Sequence, residues 1–352
     1  MRLENATGYP ANFTLTLDKS GHEQIILVTK VTVQLSTEPG APCLVAPVQQ
    51  PLFEADLFGA DPGTDATVFE NDFAAFKPLC DVLCHGRAHA PGGQPVTELG
   101  VGIRLGPWSK RFTALGSRIW LKAATGWQPS GKRPFVVQDI GYDHAYGGTD
   151  PDPSDPAQAA AFQTNPVGLG YYPLRAEREG AALAQTAVLG TDPVDPRGGD
   201  MGPMAFGPLG RSWLPRRLYA GTYDDPWMEN RLPFLPLDFD DRYFQAAAPD
   251  QQIAYPLGGE PVEMVHLSPE GRLLGEIPRL QIVVLFERKS GRVTQRIANL
   301  DTVLLLPEDR LMCLTYRTRI TAERDLFEFA RAVISERQLD GARHHPPGGN
   351  HG

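Results

Sequence analysis

Cysteine is scarce in this chain, with four in 352 residues. That number and spacing exclude the disulfide framework of a small secreted scaffold. Long apolar runs are missing too. No stretch approaches the roughly 20 residues of a membrane-spanning helix, and the opening Met1-Arg2-Leu3-Glu4-Asn5 leads into no apolar signal core. The expected location is therefore the cytoplasm, and the sequons at Asn5 and Asn12 carry no weight without export. Basic excess is absent as well. A net charge of -9 argues against a protein that works by neutralising nucleic-acid phosphates. Neither a Walker A loop, an H-E-x-x-H helix nor a G-x-S-x-G elbow occurs, which removes the commonest nucleotide, zinc-protease and serine-hydrolase chemistries.

What is present is glycine and proline, 36 and 33 of them, in a chain with 41% hydrophobic residues. Turns, strands and extended loops suit that composition better than long helices. A length of 352 residues exceeds the usual single core and favours two blocks or a large insertion.

Strand periodicity dominates the two flanks. Ile25, Leu27, Val31, Val33 and Leu35 alternate with Lys30, Thr32 and Gln34, which predicts a half-buried strand and, with the turn at Asp18 to Gly21, a hairpin over 12–35. Further strands are expected at Cys80 to Gly86, Leu99 to Leu105 and Phe112 to Trp120. Gly100, Gly102 and Gly106 lie in an alternating run and not in a dinucleotide turn. After Tyr255 the pattern returns at Val262 to Leu267, Leu280 to Phe286, Asp301 to Leu306 and Leu311 to Arg317. Thr321 to Leu339 carries Leu326, Phe329, Ala330, Val333 and Ile334 on one helical stripe and is expected to be a docked helix. The expected fold is mainly β: two antiparallel sandwich or barrel-like blocks, residues 1–133 and 251–320. A loop-rich central region, 134–250, joins them, a helix spans 321–339, and 340–352 is a disordered tail. Short helices are expected at Asp155 to Phe162 and Asp240 to Ala247.

Metal sites find little support. Cys80, Cys84 and His85 have suitable donors but the wrong spacing for a zinc knuckle, and a thiol in an apolar strand acts as a small hydrophobe. Asp150, Asp152 and Asp155 lack a calcium loop's glycine hinge and read as a solvated acidic turn. No metal and no cofactor are expected.

The central region is the informative part. It opens with Tyr142-Asp143-His144-Ala145-Tyr146-Gly147-Gly148, passes through Asn165-Pro166-Val167-Gly168-Leu169-Gly170, and reaches Trp213-Leu214-Pro215-Arg216-Arg217-Leu218-Tyr219-Ala220-Gly221-Thr222-Tyr223-Asp224 and Trp227. Aromatic and arginine side chains give large contact area with few rotors to freeze, so Tyr146, Asn165, Trp213, Arg216, Arg217, Tyr219, Tyr223 and Trp227 are candidate partner-binding residues. The plainer alternative is architectural. Gly147, Gly148, Gly168, Gly170 and Gly221 supply positive φ, the aromatics pin loops, and the arginines pair with Asp224, Asp225 or Asp238. An enzymatic alternative, a hydrolase, uses Asp143 and His144 as acid and base, though no nucleophile is placed with them. A glycan-binding sandwich with aromatic platforms rests on composition alone.

These motifs, in this order, resemble the accessory or adaptor proteins of bacterial type VI secretion systems, a family catalogued as a domain of unknown function. The resemblance runs from Gly21 and Thr29-Lys30-Val31-Thr32 to Leu300-Asp301-Thr302-Val303. It includes Asp72, Lys77-Pro78, Asp81-Val82-Leu83, Leu237-Asp238-Phe239-Asp240, Arg242-Tyr243-Phe244 and Ala247-Ala248-Pro249, and departs at Phe76, Cys80 and Cys84. It implies a non-enzymatic chaperone. Such a protein binds a secretion effector, often through a Pro-Ala-Ala-Arg-repeat (PAAR) tip domain, and helps load it on the valine-glycine repeat (VgrG) spike. It implies no nucleic-acid or membrane partner.

Overall fold

The computed structural model describes residues 1–62, 64–151, 155, 158–195 and 201–339. Three open sheets dominate. The largest has six strands in the order Gln252–Ile253, Cys80–Cys84, Asn299–Leu306, Leu311–Thr321, Glu23–Gln34, Ala11–Leu17. A five-stranded sheet runs Thr186–Ala187, Trp108–Leu115, Glu98–Leu105, Pro261–Val265, Arg272–Glu276, and a four-stranded one runs Arg2–Asn5, Phe329–Gln338, Leu280–Arg288, Val293–Ile297. Among the described residues no sheet closes into a barrel.

Each of the three sheets mixes strands from both ends of the chain. The two expected β blocks are therefore stitched together: Glu23–Gln34 pairs antiparallel with Leu311–Thr321, and Cys80–Cys84 pairs parallel with Asn299–Leu306. Arg2–Asn5 likewise lies parallel to Phe329–Gln338, so the expected antiparallel arrangement is in fact mixed. One apolar core joins all three sheets. Leu27 and Val31 enter it from the first, Phe112 and Met264 from the second, Ile282, Phe286 and Ile334 from the third.

Strand expectations at the flanks hold at most positions, but Phe112 to Trp120 is no single strand: it spans the end of Trp108–Leu115, a break, and the start of Trp120–Ala123, and a further difference is instructive. In Leu280–Arg288 the even-numbered residues are buried and the odd-numbered ones partly buried, as a half-buried strand should have them. In Glu23–Gln34 both faces are buried, and Lys30 and Thr32 lie inside with the aliphatic residues. The even-numbered face is covered by the segment that follows: Gln49 Oε1 accepts from the Thr32 amide at 2.8 Å, and Lys30 Nζ donates to the Pro51 carbonyl at 3.0 Å.

The helix expected over 321–339 does not form as such. One 3-10 turn, Leu326–Glu328, precedes the ten-residue strand Phe329–Gln338. The apolar positions fit either period, since Phe329, Ala332 and Ile334 are the ones buried, and pairing with Leu280–Arg288 decides between them. At Asp155 to Phe162, Asp152 and Pro156 to Ala157 lie outside the described residues, while Ala160–Ala161 pairs with Thr149–Asp150 as a short ladder and not a helix. Asp150 is no solvated turn residue. It is fully buried, and Oδ2 accepts from the Leu174 and Arg175 amides at 2.8 and 3.0 Å. The expected helix at Asp240 shortens to a 3-10 turn, Asp241–Phe244, capped by Asp240. The tail from 340 lies outside the described residues.

Candidate interaction surface

The central region divides into a buried foundation and an exposed crest. Asn165 anchors the foundation. Wholly buried, it donates through Nδ2 to the carbonyls of Tyr142 and Tyr146 at 2.9 and 3.1 Å. The backbone closes around it. A Cβ on Gly147, whose φ is 151°, would stand 2.2 Å from the Asn165 carbonyl oxygen, and one on Gly168 would stand 2.4 Å from that of Ala145. Gly168 is thus required by close approach and not by positive φ. Tyr146 and Trp213 belong to the same foundation. The Tyr146 hydroxyl donates to the Asp195 carbonyl at 2.7 Å, and Trp213 meets the Tyr142 ring edge-on at 5.3 Å between centroids.

Arg216 follows Trp213 on the four-residue helix Leu214–Arg217, and it points inward. Its Nη2 donates to Glu70 at 2.7 Å, while Nε and Nη1 donate to the carbonyls of Tyr243 and Leu209, each at 3.0 Å. Glu70 is shared with Lys77 Nζ at 3.1 Å, which also donates to Asp81 at 2.7 Å and to Thr302 Oγ1 at 3.1 Å. Asp81 in turn accepts from Gln245 Nε2 at 2.6 Å and the Ala246 amide at 2.8 Å. Two further ion pairs, Lys30 with Asp72 and Arg317 with Asp301, flank this set, and all of these side chains are buried. Burial pushes the Glu70 carboxyl up, but Lys77, Arg216 and Arg211 outweigh it and hold Glu70 down at about 2. Asp301 goes the other way. Burial and the nearby Asp81 outweigh Arg317 and Lys77 and raise it to about 6.

Such a network is costly to break and offers no open site for chemistry, because its charges are already paired. It clamps the central region to the six-stranded sheet. Six charged residues of the motifs singled out in the sequence, Lys30, Asp72, Lys77, Asp81, Arg216 and Asp301, serve that clamp. Of these, sequence reading singled out only Arg216 as a site candidate, for partner contact or for an ion pair, and its side chain is buried. The available signal was Lys30, a lone cation in an aliphatic strand.

The crest begins one residue later. Arg217 is exposed and donates to Gln163 Oε1 at 2.8 Å, and Tyr219 is half-buried beneath the Arg242 guanidinium, 4.3 Å from its ring centroid. Tyr223 is 54% exposed and packs edge-on against Trp227 at 4.7 Å. Trp227 is the third residue of the helix Asp225–Asn230, its amide capped by Asp224 Oδ1 at 2.9 Å and its indole N–H donating to the Phe234 carbonyl. Large apolar side chains stand out along the same segment: Leu218, Met228, Leu232 and Leu237 are exposed by 69, 60, 59 and 71%. The arginine pairs expected with Asp224, Asp225 or Asp238 are not made by Arg216 or Arg217. Asp238 instead fastens Thr222, accepting from its amide at 3.0 Å and its hydroxyl at 2.7 Å.

Asp143 and His144 line a separate cleft of about 480 Å³ together with His85, Asp139 and Glu308. Asp143 Oδ1 is engaged by the Ala66 amide at 2.7 Å. Hydrogen bonding from Arg87 holds Glu308 down at about 2, and His89 Nε2 lies 3.1 Å from the same carboxylate. Burial lowers His85. Cys84, on the cleft wall, has its thiol pushed far up by burial, which makes it inert. Among the described residues, no group of three or more His, Cys, Asp or Glu side chains is placed to hold a metal ion. Nor is any helix there long and apolar enough to cross a membrane.

The chain belongs to the family described as an uncharacterized protein conserved in bacteria (DUF2169), whose model matches residues 20–317. That span takes in the clamp and the crest together. No curated protein and no solved structure matches the chain.

Proposed function

We propose that this protein is an adaptor that binds a type VI secretion effector, or its PAAR-type tip domain, and helps load it on the VgrG spike. One observation carries the reading. The segment from Leu218 to Leu237 holds aromatic and aliphatic side chains out toward solvent on a base fixed by the Arg216 and Glu70 pair, the composition and rigidity of a binding hot spot. Co-expression with any toxin or tip protein encoded near it, followed by affinity capture, tests the reading. A stable complex is expected, weakened at least tenfold by combining Tyr223→Ala with Leu237→Asp. Failure to capture either neighbour with the wild-type protein overturns it.

A hydrolase reading is favoured by the cleft that gathers Asp143 and His144 with His85, Asp139 and Glu308. It predicts turnover of ester, amide or glycosidic substrates that is lost in His144→Ala. No turnover by the wild-type protein across such a panel removes it.

A further inference from the structure

The six-stranded sheet ends on Ala11–Leu17, and this edge is open. The bonds from the Lys30 amide to the Pro10 carbonyl and from the Asp18 amide to the His22 carbonyl fix which residues face inward. With the register Asn12 to Val28, Thr14 to Ile26 and Thr16 to Gln24, the even-numbered residues carry the ladder, and Ala11, Phe13, Leu15 and Leu17 turn their amides and carbonyls outward, where only exposed local side chains meet them: Asn12 Oδ1 accepts from the Phe13 amide at 2.9 Å and Thr16 Oγ1 donates to the Leu17 carbonyl at 3.4 Å. Among the described residues no strand pairs with that side. Natural edges are commonly blunted by charge, proline or a bulge. Ala11–Leu17 has none of these: its residues are uncharged, it lacks internal proline, and its register is unbroken.

The two faces beside the edge differ. On the core face Leu15 and Leu17 overhang the sheet, exposed by 54 and 39%. On the other, a cleft of about 510 Å³ opens over Thr16, Gln24 and Arg319, walled by Phe76 and Phe244. Asp241 lies in that wall. Its closest cation, Arg319, is 3.8 Å away, and the Arg319 guanidinium stacks 4.1 Å over Phe76 instead of closing on the carboxylate.

We infer that Ala11–Leu17 captures an extended segment of a partner protein as an added strand, with apolar residues over Leu15 and Leu17 alternating with lysine or arginine residues that reach into the Asp241 cleft. Backbone pairing supplies affinity, and the two faces read alternate side chains. Charge agrees, since the chain carries a net -9. The inference rests on the adaptor reading only for the biological origin of the strand.

The probe is a fluorescein-labelled peptide, Val-Lys-Val-Lys-Val-Lys-Val, titrated with the full chain and followed by anisotropy. Saturable binding is expected, at least tenfold weaker for the Val-Glu counterpart and for Leu15→Pro, which removes one outward N–H and no ladder bond. The same lysine peptide N-methylated at every backbone amide has no N–H to offer an edge and should not bind, a control that leaves the protein untouched. Asp241→Asn should weaken the lysine peptide about threefold. Absence of saturation, or equal binding of the N-methylated peptide, overturns the inference. A wild-type dimer in light scattering that becomes monomeric in Leu15→Pro also overturns it, since the edge is then occupied by a second copy. Loss of peptide binding leaves the affinity capture of a cargo unaffected as a test of the adaptor reading, so the two fail separately.

Discussion

Glu70 accepts from two buried cations and sits near a third, and its chemistry sets a pH dependence with a definite sign. Its folded-state value of about 2 lies below the ordinary carboxylate value, so its stabilising contribution is complete above about pH 4.5 and disappears as pH falls toward 2. Asp301 opposes it. Raised to about 6, its contribution is complete below about pH 4 and is lost as pH rises through 6. Glu70→Gln should lower stability at pH 7 by on the order of 3 kcal/mol, because Arg216 and Lys77 lose a buried counter-charge. Urea midpoints should then fall less steeply between pH 5 and 3 in the variant than in the wild type; parallel curves would deny Glu70 this role. Asn165→Ala strips the Tyr142 and Tyr146 carbonyls of their donor and should cost about 2 to 3 kcal/mol in urea unfolding. Residue type in the sequence revealed which side chains matter but not which way they face. Of eight candidates for partner contact, Tyr146, Asn165, Trp213 and Arg216 are interior. The glycines hinted at this, because crowding around Gly147 and Gly168 requires a packed loop.

At the scale of elements, strands with a clean two-residue period were readable. Leu280–Arg288 and Glu98–Leu105 fall where the alternation places them. Two kinds of element were not. Phe329–Gln338 has a pattern compatible with helix or strand, and its state is set by a partner strand some 50 residues away in sequence, in contacts that no local window contains. Glu23–Gln34 reads as half-buried because Lys30 and Thr32 are polar, yet both are sealed in by Gln49, Pro51 and Asp72. Ending the chain at residue 324 removes Phe329–Gln338 and uncovers Val284 and Phe286 in the strand it pairs with. The shortened protein should bind a hydrophobic dye strongly and aggregate on purification; a monodisperse, dye-silent product would contradict the pairing.

The whole molecule inherits a property from its interleaved sheets. Because Glu23–Gln34 and Cys80–Cys84 each take one sheet neighbour from residues 299–321, a fragment ending at residue 133 lacks the centre of its own largest sheet. That fragment should show no cooperative thermal transition, whereas the full chain should unfold with coincident far-ultraviolet and fluorescence transitions. A cooperative fragment would restore the picture of two separate blocks. Composition and periodicity announced the mainly β character and the loop-rich middle. They could not announce the interleaving, which depends on which strands find each other across the chain.

That interleaving also bears on how the chain is made. Glu23–Gln34, buried on both faces, is synthesised well before Leu311–Thr321, so it has Ala11–Leu17 beside it while the other neighbour lies nearly 280 residues downstream. At about 5 to 20 residues per second, the nascent strand waits roughly 15 to 60 s with one edge bare. For that interval the growing chain is itself a client for any factor that shields exposed β structure during synthesis.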